Sequence, residues 1–468
     1  MFDIRLACNA KAGPEKAAQS RFCAPGWPQA LARPARAATI FCMKNSPLSA
    51  FLARSLVSCL ALSSALLAIP ASAAPDEEAP PELSEAEFQR CLRQLQAAPA
   101  FKGISAQTFE RYALSLTPDA TVLPLLKRQP EFTLPPWDYI AMLVDAERLA
   151  DGRAAAGRWQ AELAQIASQS GVPAPVILGV WGVESNFGQN LGGRPLLRSL
   201  GTLSCFGRRQ EYFRSEFAAA LRIVQEGHIA ADRLNGSWAG AFGHTQFMPS
   251  TFLRSAVDFD GDGRRDLMDS VPDALASTAR FLKNAGWRSG QPWGYEVRLP
   301  PGYDASRYSR KTQRSTAEWA QDGLTLPDGS PLPFTLAKAG LIQPARKQGG
   351  GPAFLVGGNF NALYSYNASE NYALSIARLA DLLAQPQTPA DDALASFATP
   401  WPTDDPGLTR AQNRELQTLL LARGHAIGSA DGRIGPQTRE AIRAEQARLG
   451  QPVTGRAGQK LLRALQAP

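Results

Sequence analysis

Val176-Ile-Leu-Gly-Val-Trp-Gly-Val-Glu-Ser-Asn-Phe-Gly188 is the stretch whose reading decides the fold. Ile177, Val180, Trp181 and Glu184 recur at the spacing of one face of an α-helix. Pro173 and Pro175 suit the start of that helix, and Gly188 suits its end. So read, the helix holds Glu184 on an apolar stripe and away from its wet face. A carboxylate pressed against Trp and aliphatic side chains is desolvated, which disfavours its charged form and readies it as a general acid near neutral pH. A buried glutamate neutralised by an arginine or by backbone donors explains this stretch equally well.

The sequence around it is helical. Glu82 to Leu95 has helical spacing, with Ser84 and Glu87 in the positions of a capping box. Trp137 to Leu149 and Trp159 to Ser168 read as further helices, followed by Phe217 to Glu226 and Asp273 to Gly286. From Gln291 to about Gly358 the texture changes: Tyr295–Leu299 alternates, Gly and Pro become frequent, and Phe334-Thr-Leu and Ala353-Phe-Leu-Val suggest short strands. Tyr372 to Leu383 returns to helix, the Pro-rich residues 386–406 read as a linker, and 407–468 as a small separate domain.

The chain has 468 residues and a formal net charge of +7, with 19% charged and 44% hydrophobic residues, an ordinary globular composition. The positive excess lies almost entirely in residues 1–73, so the rest offers no single-sign field for nucleic acid. Within that segment Met43-Lys44, Arg54, the apolar run Leu56–Pro70 and Ala71-Ser72-Ala73 form a secretory signal pattern, with residues 1–42 an upstream extension. Export to the periplasm and cleavage to a soluble product follow. Acylation at Cys59 fits less well, because Cys59 falls early in the apolar run. After the signal only Cys91 and Cys205 remain, which in an oxidising compartment either pair or stay as two buried thiols.

Two motifs carry chemistry. Asp258-Phe-Asp-Gly-Asp-Gly-Arg-Arg-Asp-Leu-Met-Asp269 has the register of a twelve-residue calcium loop. Asp258, Asp260, Asp262, the position of Arg264 and Asp269 are the candidate ligands for a structural Ca2+. Asp269 stands where a longer, bidentate Glu is usual. A plain Asp/Gly turn is the alternative. Ser237-Trp-Ala-Gly-Ala-Phe-Gly-His-Thr-Gln-Phe-Met-Pro-Ser250 combines glycines that permit close backbone approach with Trp238 and Phe247, whose flat faces could stack on a sugar ring. A glycine-rich connection before a helix is the bland reading. His244 alone is weak evidence for a catalytic base.

Val183-Glu-Ser-Asn-Phe-Gly188, the Ser237 and Gln246 motifs, the Asp-rich loop and Tyr366-Asn-Ala-Ser-Glu-Asn-Tyr-Ala373 together resemble the B-type lytic murein transglycosylase family, over residues 84–385. The resemblance implies a mainly α, lysozyme-like catalytic domain with a small β-containing subdomain. It also implies that Glu184 is the sole catalytic acid/base, and that Ser237, Gln246, Asn367 and Tyr372 line a glycan cleft. Leu416–Gly424, Asp431–Ile442 and the Val453-Thr-Gly turn resemble the small three-helix peptidoglycan-binding module. The implied partner is peptidoglycan, cut by a monomer with formation of 1,6-anhydro-muramic acid. A peripheral membrane association is allowed and not required. A hydrolytic muramidase and a non-catalytic wall-binding protein are the competing readings.

Overall fold

The computed structural model describes residues 82–127, 134–386 and 394–467. The signal-peptide reading and the first part of the Pro-rich linker lie outside these residues.

Among the described residues the chain is mainly helical with two small sheets. Helix Glu85–Gln96 starts at Ser84, whose side chain accepts a hydrogen bond from the Glu87 amide, and it buries Phe88, Leu92 and Leu95. A disulfide joins Cys91 on this helix to Cys205, the last residue of helix Leu196–Cys205. Of the two readings open for these cysteines, the paired one is found.

The single helix read over Trp137–Leu149 is two, Pro136–Leu143 and Ala146–Arg158. Asp145 is the cause: its side chain accepts from the Arg148 amide and starts a new helix, leaving Val144 extended. After Gln160–Ser170 and a left-handed Gly171 comes the decisive helix, Ala174–Ser185. It has no wet face, for every residue from Ile177 to Ser185 is buried. The stripe read from the sequence is therefore only one side of a helix enclosed all round.

Its main partner is helix Glu370–Ala384. Gly179 and Gly182 face that partner: a Cβ on Gly179 would come within 3.0 Å of the Ile376 carbonyl oxygen, and one on Gly182 within 3.0 Å of Leu379 Cδ2. Glycine inside a helix costs up to about 1 kcal/mol, which the close approach of the two helices offsets.

The larger sheet is antiparallel, with Ala353–Val356 between Gly294–Val297 and Gly340–Ile342. The strand read at Phe334-Thr-Leu does not form. Pro331 and Pro333 precede it, removing two backbone donors, and Phe334 is 76% exposed. Gly340–Ile342 takes the edge instead. This subdomain has its own core around Val297, Trp319, Leu341 and Leu355.

Helices Arg410–Ala422, Pro436–Arg448 and Gln459–Gln466 close on Leu416, Leu420, Ile442, Leu461 and Leu462. The chain before them is more than a tether where it is described. Leu394 is fully buried, Phe397 and Trp401 pack against the large core, and Glu296 accepts from the amides of Ala398 and Thr399. No single helix among the described residues is long and apolar enough to cross a membrane.

Candidate active site around Glu184

Glu184 is 6% exposed, one residue from the end of its helix. The hydroxyl of Tyr372, itself wholly buried on helix Glu370–Ala384, donates to Glu184 Oε1. Tyr372 thus grips the carboxylate from the neighbouring helix, which is a different task from lining a cleft.

The backbone past Glu184 is unusual. Among the described residues five non-glycine positions have positive φ, and four of them fall in the motif segments: Asn186, Phe187, Gln246 and Ala368. Such conformations persist only where surrounding contacts over-determine them. Here those contacts are visible. Asn186 and Phe187 end the Glu184 helix in place of Gly188, and Ser185 Oγ accepts from the Gly188 amide at 3.0 Å. The same Oγ donates to the His244 carbonyl at 2.7 Å. Gly188 has φ +87, and a Cβ there would lie 2.4 Å from the His244 ring. That position tolerates nothing larger.

His244 is no base facing substrate. It is buried, its Nδ1 accepts from Trp181 Nε1 at 3.1 Å, and burial pushes its pKa down to about 4. It is neutral at pH 7 and serves as a fixed acceptor. Its backbone amide donates to the Leu267 carbonyl at 2.9 Å, tying the Glu184 helix to the Asp-rich loop.

The other residues expected in the cleft are turned inward. Ser237 is 1% exposed and its Oγ accepts from the Ala241 amide, so it closes its own turn. Gln246 donates to the carbonyls of Leu191 and Gly243. Phe247 lies in the core against Phe281 and Tyr366 and cannot stack on a sugar, while Trp238 is only 4% exposed. Asn367 is buried with Nδ2 lacking a protein hydrogen-bond partner. Open space lies along residues 368–371: a groove lined by Tyr308, Arg346 and Glu370 adjoins another lined by Tyr364, Ala368 and Asn371. The two share Pro344, Gln348 and Glu370, and neither is lined by Glu184, Ser237, Gln246 or Asn367.

In the Asp-rich loop the carboxylates of Asp258, Asp260 and Asp262 converge, with oxygen atoms within 4.8 Å of one another. Asp269 is apart from them, paired with Arg233. The Arg264 guanidinium bonds the His228 carbonyl and Asp266, so only its backbone oxygen could serve a metal. Asp266 and Asp273 face inward and accept loop amides: Asp266 takes those of Met268 and Asp269, and Asp273 those of Phe259 and Asp266.

The transglycosylase SLT domain family model matches residues 87–381. The chain belongs to that family. A peptidoglycan binding domain model matches residues 409–465. The Membrane-bound lytic murein transglycosylase B of Escherichia coli is 35% identical over 222 residues, or 46% of this chain, and the chain spans 58% of that relative's length. SltB3 of Pseudomonas aeruginosa, solved with NAG-NAM-pentapeptide, is similar at 42% identity and TM-score 0.62, over 82% of this chain and 100% of its own. The Escherichia coli lytic transglycosylase Slt35 in complex with calcium is similar at 28% identity and TM-score 0.55, over 64% of this chain and 93% of its own.

Family membership makes the Glu184 surroundings more informative than the motifs alone. The clasp of Ser185, Asn186 and His244 was within the quoted motifs, but their spacing carried no sign of it. Arg148 and Arg410, which brace Asn186, and Asp145, which holds Arg410, lie outside the quoted motifs.

Proposed function

We propose that this protein is a lytic murein transglycosylase, exported to the periplasm, that cuts the MurNAc-GlcNAc β-1,4 bond and leaves 1,6-anhydro-MurNAc. The observation that carries this reading concerns the buried acids. Among the described residues the buried carboxylates are Asp145, Glu184, Glu216, Asp266, Asp273 and Glu445. Asp145 is tied to Arg410, Glu216 to Ser250, Asp266 and Asp273 to loop amides, and Glu445 to His425 and Arg448, whereas Glu184 sits in the motif helix and accepts from the Tyr372 hydroxyl.

A two-carboxylate glycosidase needs a partner acid across the bond. One carboxylate suffices when the substrate supplies the nucleophile. Glu184, protonated, gives its proton to the glycosidic oxygen as the bond to C1 breaks. The muramic N-acetyl carbonyl stabilises the positive charge at C1. Glu184, now a carboxylate, takes the proton of the C6 hydroxyl as that oxygen closes on C1. The proton lent is recovered and no water is consumed.

In this reading the glycan lies along the groove past Glu370 and Asn371, while the buried Asn367, Tyr372 and Gln246 hold the site's shape. Asp258, Asp260 and Asp262 with the Arg264 carbonyl would hold Ca2+, which supplies charge neutralisation to the loop behind His244 and no acid/base chemistry. The C-terminal helices hold the enzyme on peptidoglycan. Hydrolysis is the second reading, favoured by Glu370, a groove acid whose pKa burial raises. Glu184→Gln keeps shape and polarity but cannot donate the proton, so turnover should fall at least about 100-fold. Full activity in that variant would end the proposal.

A further inference from the structure

The C-terminal helices meet the catalytic region with arginines on one side and acids and amides on the other. Arg456 clasps Asp138 through Nε at 2.6 Å and Nη2 at 2.7 Å. Arg414 pairs with Glu147, and Arg433 donates to Asn190 Oδ1 at 2.7 Å. Arg410 reaches deepest. Its Nε and Nη2 donate to the two oxygens of Asp145 at 2.8 and 2.9 Å, and Asp145 is 2% exposed.

Arg410 then does something the other arginines do not. Its Nη1 donates to Asn186 Oδ1 at 3.1 Å. That oxygen also accepts from Nε of the buried Arg148 at 3.3 Å, and Arg148 donates to the Met142 carbonyl. Asn186 is the left-handed residue that stops the Glu184 helix, two positions past the carboxylate. A guanidinium fork can hold Asp145 and Asn186 at once, because its donors are fixed in one plane. A buried Asp145 deprived of that fork would leave a charge short of partners, and Asn186 Oδ1 would keep one donor of two, with Nδ2 still on Gln189.

We propose that Arg410 is a positioning residue for the reaction: the C-terminal region fixes the end of the Glu184 helix through Asn186, in addition to any hold it has on peptidoglycan. This rests on Glu184 being the acid. Loosening Asn186 unwinds the turn that sets the Glu184 carboxylate against the Tyr372 hydroxyl, so the loss falls on the chemical step and not on glycan affinity.

The test uses the full chain and soluble, uncrosslinked glycan strands, with kcat, KM and retention on insoluble sacculi measured for Arg410→Ala, Arg410→Lys, Arg414→Ala and Glu184→Gln. Arg410→Ala should lower kcat about tenfold, with KM and sacculus retention within about twofold of wild type. Arg410→Lys should recover part of that loss, since an ammonium can pair with Asp145 but cannot fork to Asn186. Arg414→Ala, which loses only the neighbouring Glu147 pair, should keep kcat within about twofold. A wild-type kcat in Arg410→Ala, or an equal loss in Arg414→Ala, overturns the positioning role. With Glu184→Gln inactive, either result removes this inference alone; an active Glu184→Gln removes the acid assignment beneath it.

Discussion

Tyr372 donates a hydrogen bond to Oε1 of Glu184 across 188 positions of sequence. The contact exists because Gly179 and Gly182 let helices Ala174–Ser185 and Glu370–Ala384 approach closely. Tyr372→Phe deletes the donor and leaves the ring against Tyr366, 6.3 Å away between centroids, so the fold should hold. Turnover should fall about 10- to 100-fold, the worth of one hydrogen bond to a charged group. Steady-state kinetics beside a melting curve will show it; unchanged kcat would mean that Tyr372 only fills space.

His244 gives stability a sign with pH. Its pKa lies at about 4 in the folded chain against 6.5 as an ordinary histidine, so between those values the unfolded chain binds the extra proton. The contribution is complete above about pH 6.5 and is lost as pH falls through about 4, amounting to about 3 kcal/mol. His244→Gln keeps an acceptor for Trp181 without titrating. Denaturation curves at several pH values should show wild type losing more stability than this variant over that window. Parallel losses would contradict the buried, neutral His244.

The sequence made the helices legible where side-chain spacing decides them, and Glu184 legible because a lone acid in an apolar helix has few explanations. It hid the division at Asp145, where one capping side chain outweighs continuous helical spacing. Burial on every side of the Glu184 helix was hidden too, since spacing names one face and cannot see the neighbours on the other. Phe247 looked like a sugar platform and is core, because an aromatic in a motif reads the same in either place. The brace of Asp145, Arg148 and Arg410 joins residues up to 265 positions apart, and no local pattern encodes it.

The disulfide between Cys91 and Cys205 closes 114 residues of chain. Replacing both cysteines by serine should cost about 2–4 kcal/mol by denaturant titration, mainly by freeing the unfolded chain. Stability equal to wild type would count against a structural role.

Calcium binding should respond to Arg233. Its pair with Asp269 is exposed on both sides, with side chains 61% and 51% accessible, so it holds Asp269 weakly. Arg233→Ala should free Asp269 for the metal and tighten calcium up to about fivefold. Asp258→Ala with Asp262→Ala should abolish the rise in melting temperature that calcium gives wild type. A melting curve indifferent to chelator in wild type would remove the metal from the account.

Glu370 decides between the two chemistries at the level of residues. If the C6 hydroxyl is the nucleophile, Glu370→Gln should change glycan affinity and leave the products the same. A shift from reducing ends to anhydro ends in that variant would make Glu370 the base for a water.

The most direct measurement is the mass of muropeptides released from purified sacculi by the wild-type enzyme. One carboxylate lending and recovering a proton predicts products ending in 1,6-anhydro-muramic acid, each lighter by one water than the corresponding reducing sugar. Products ending chiefly in reducing muramic acid would contradict the account, even with Glu184 proved essential.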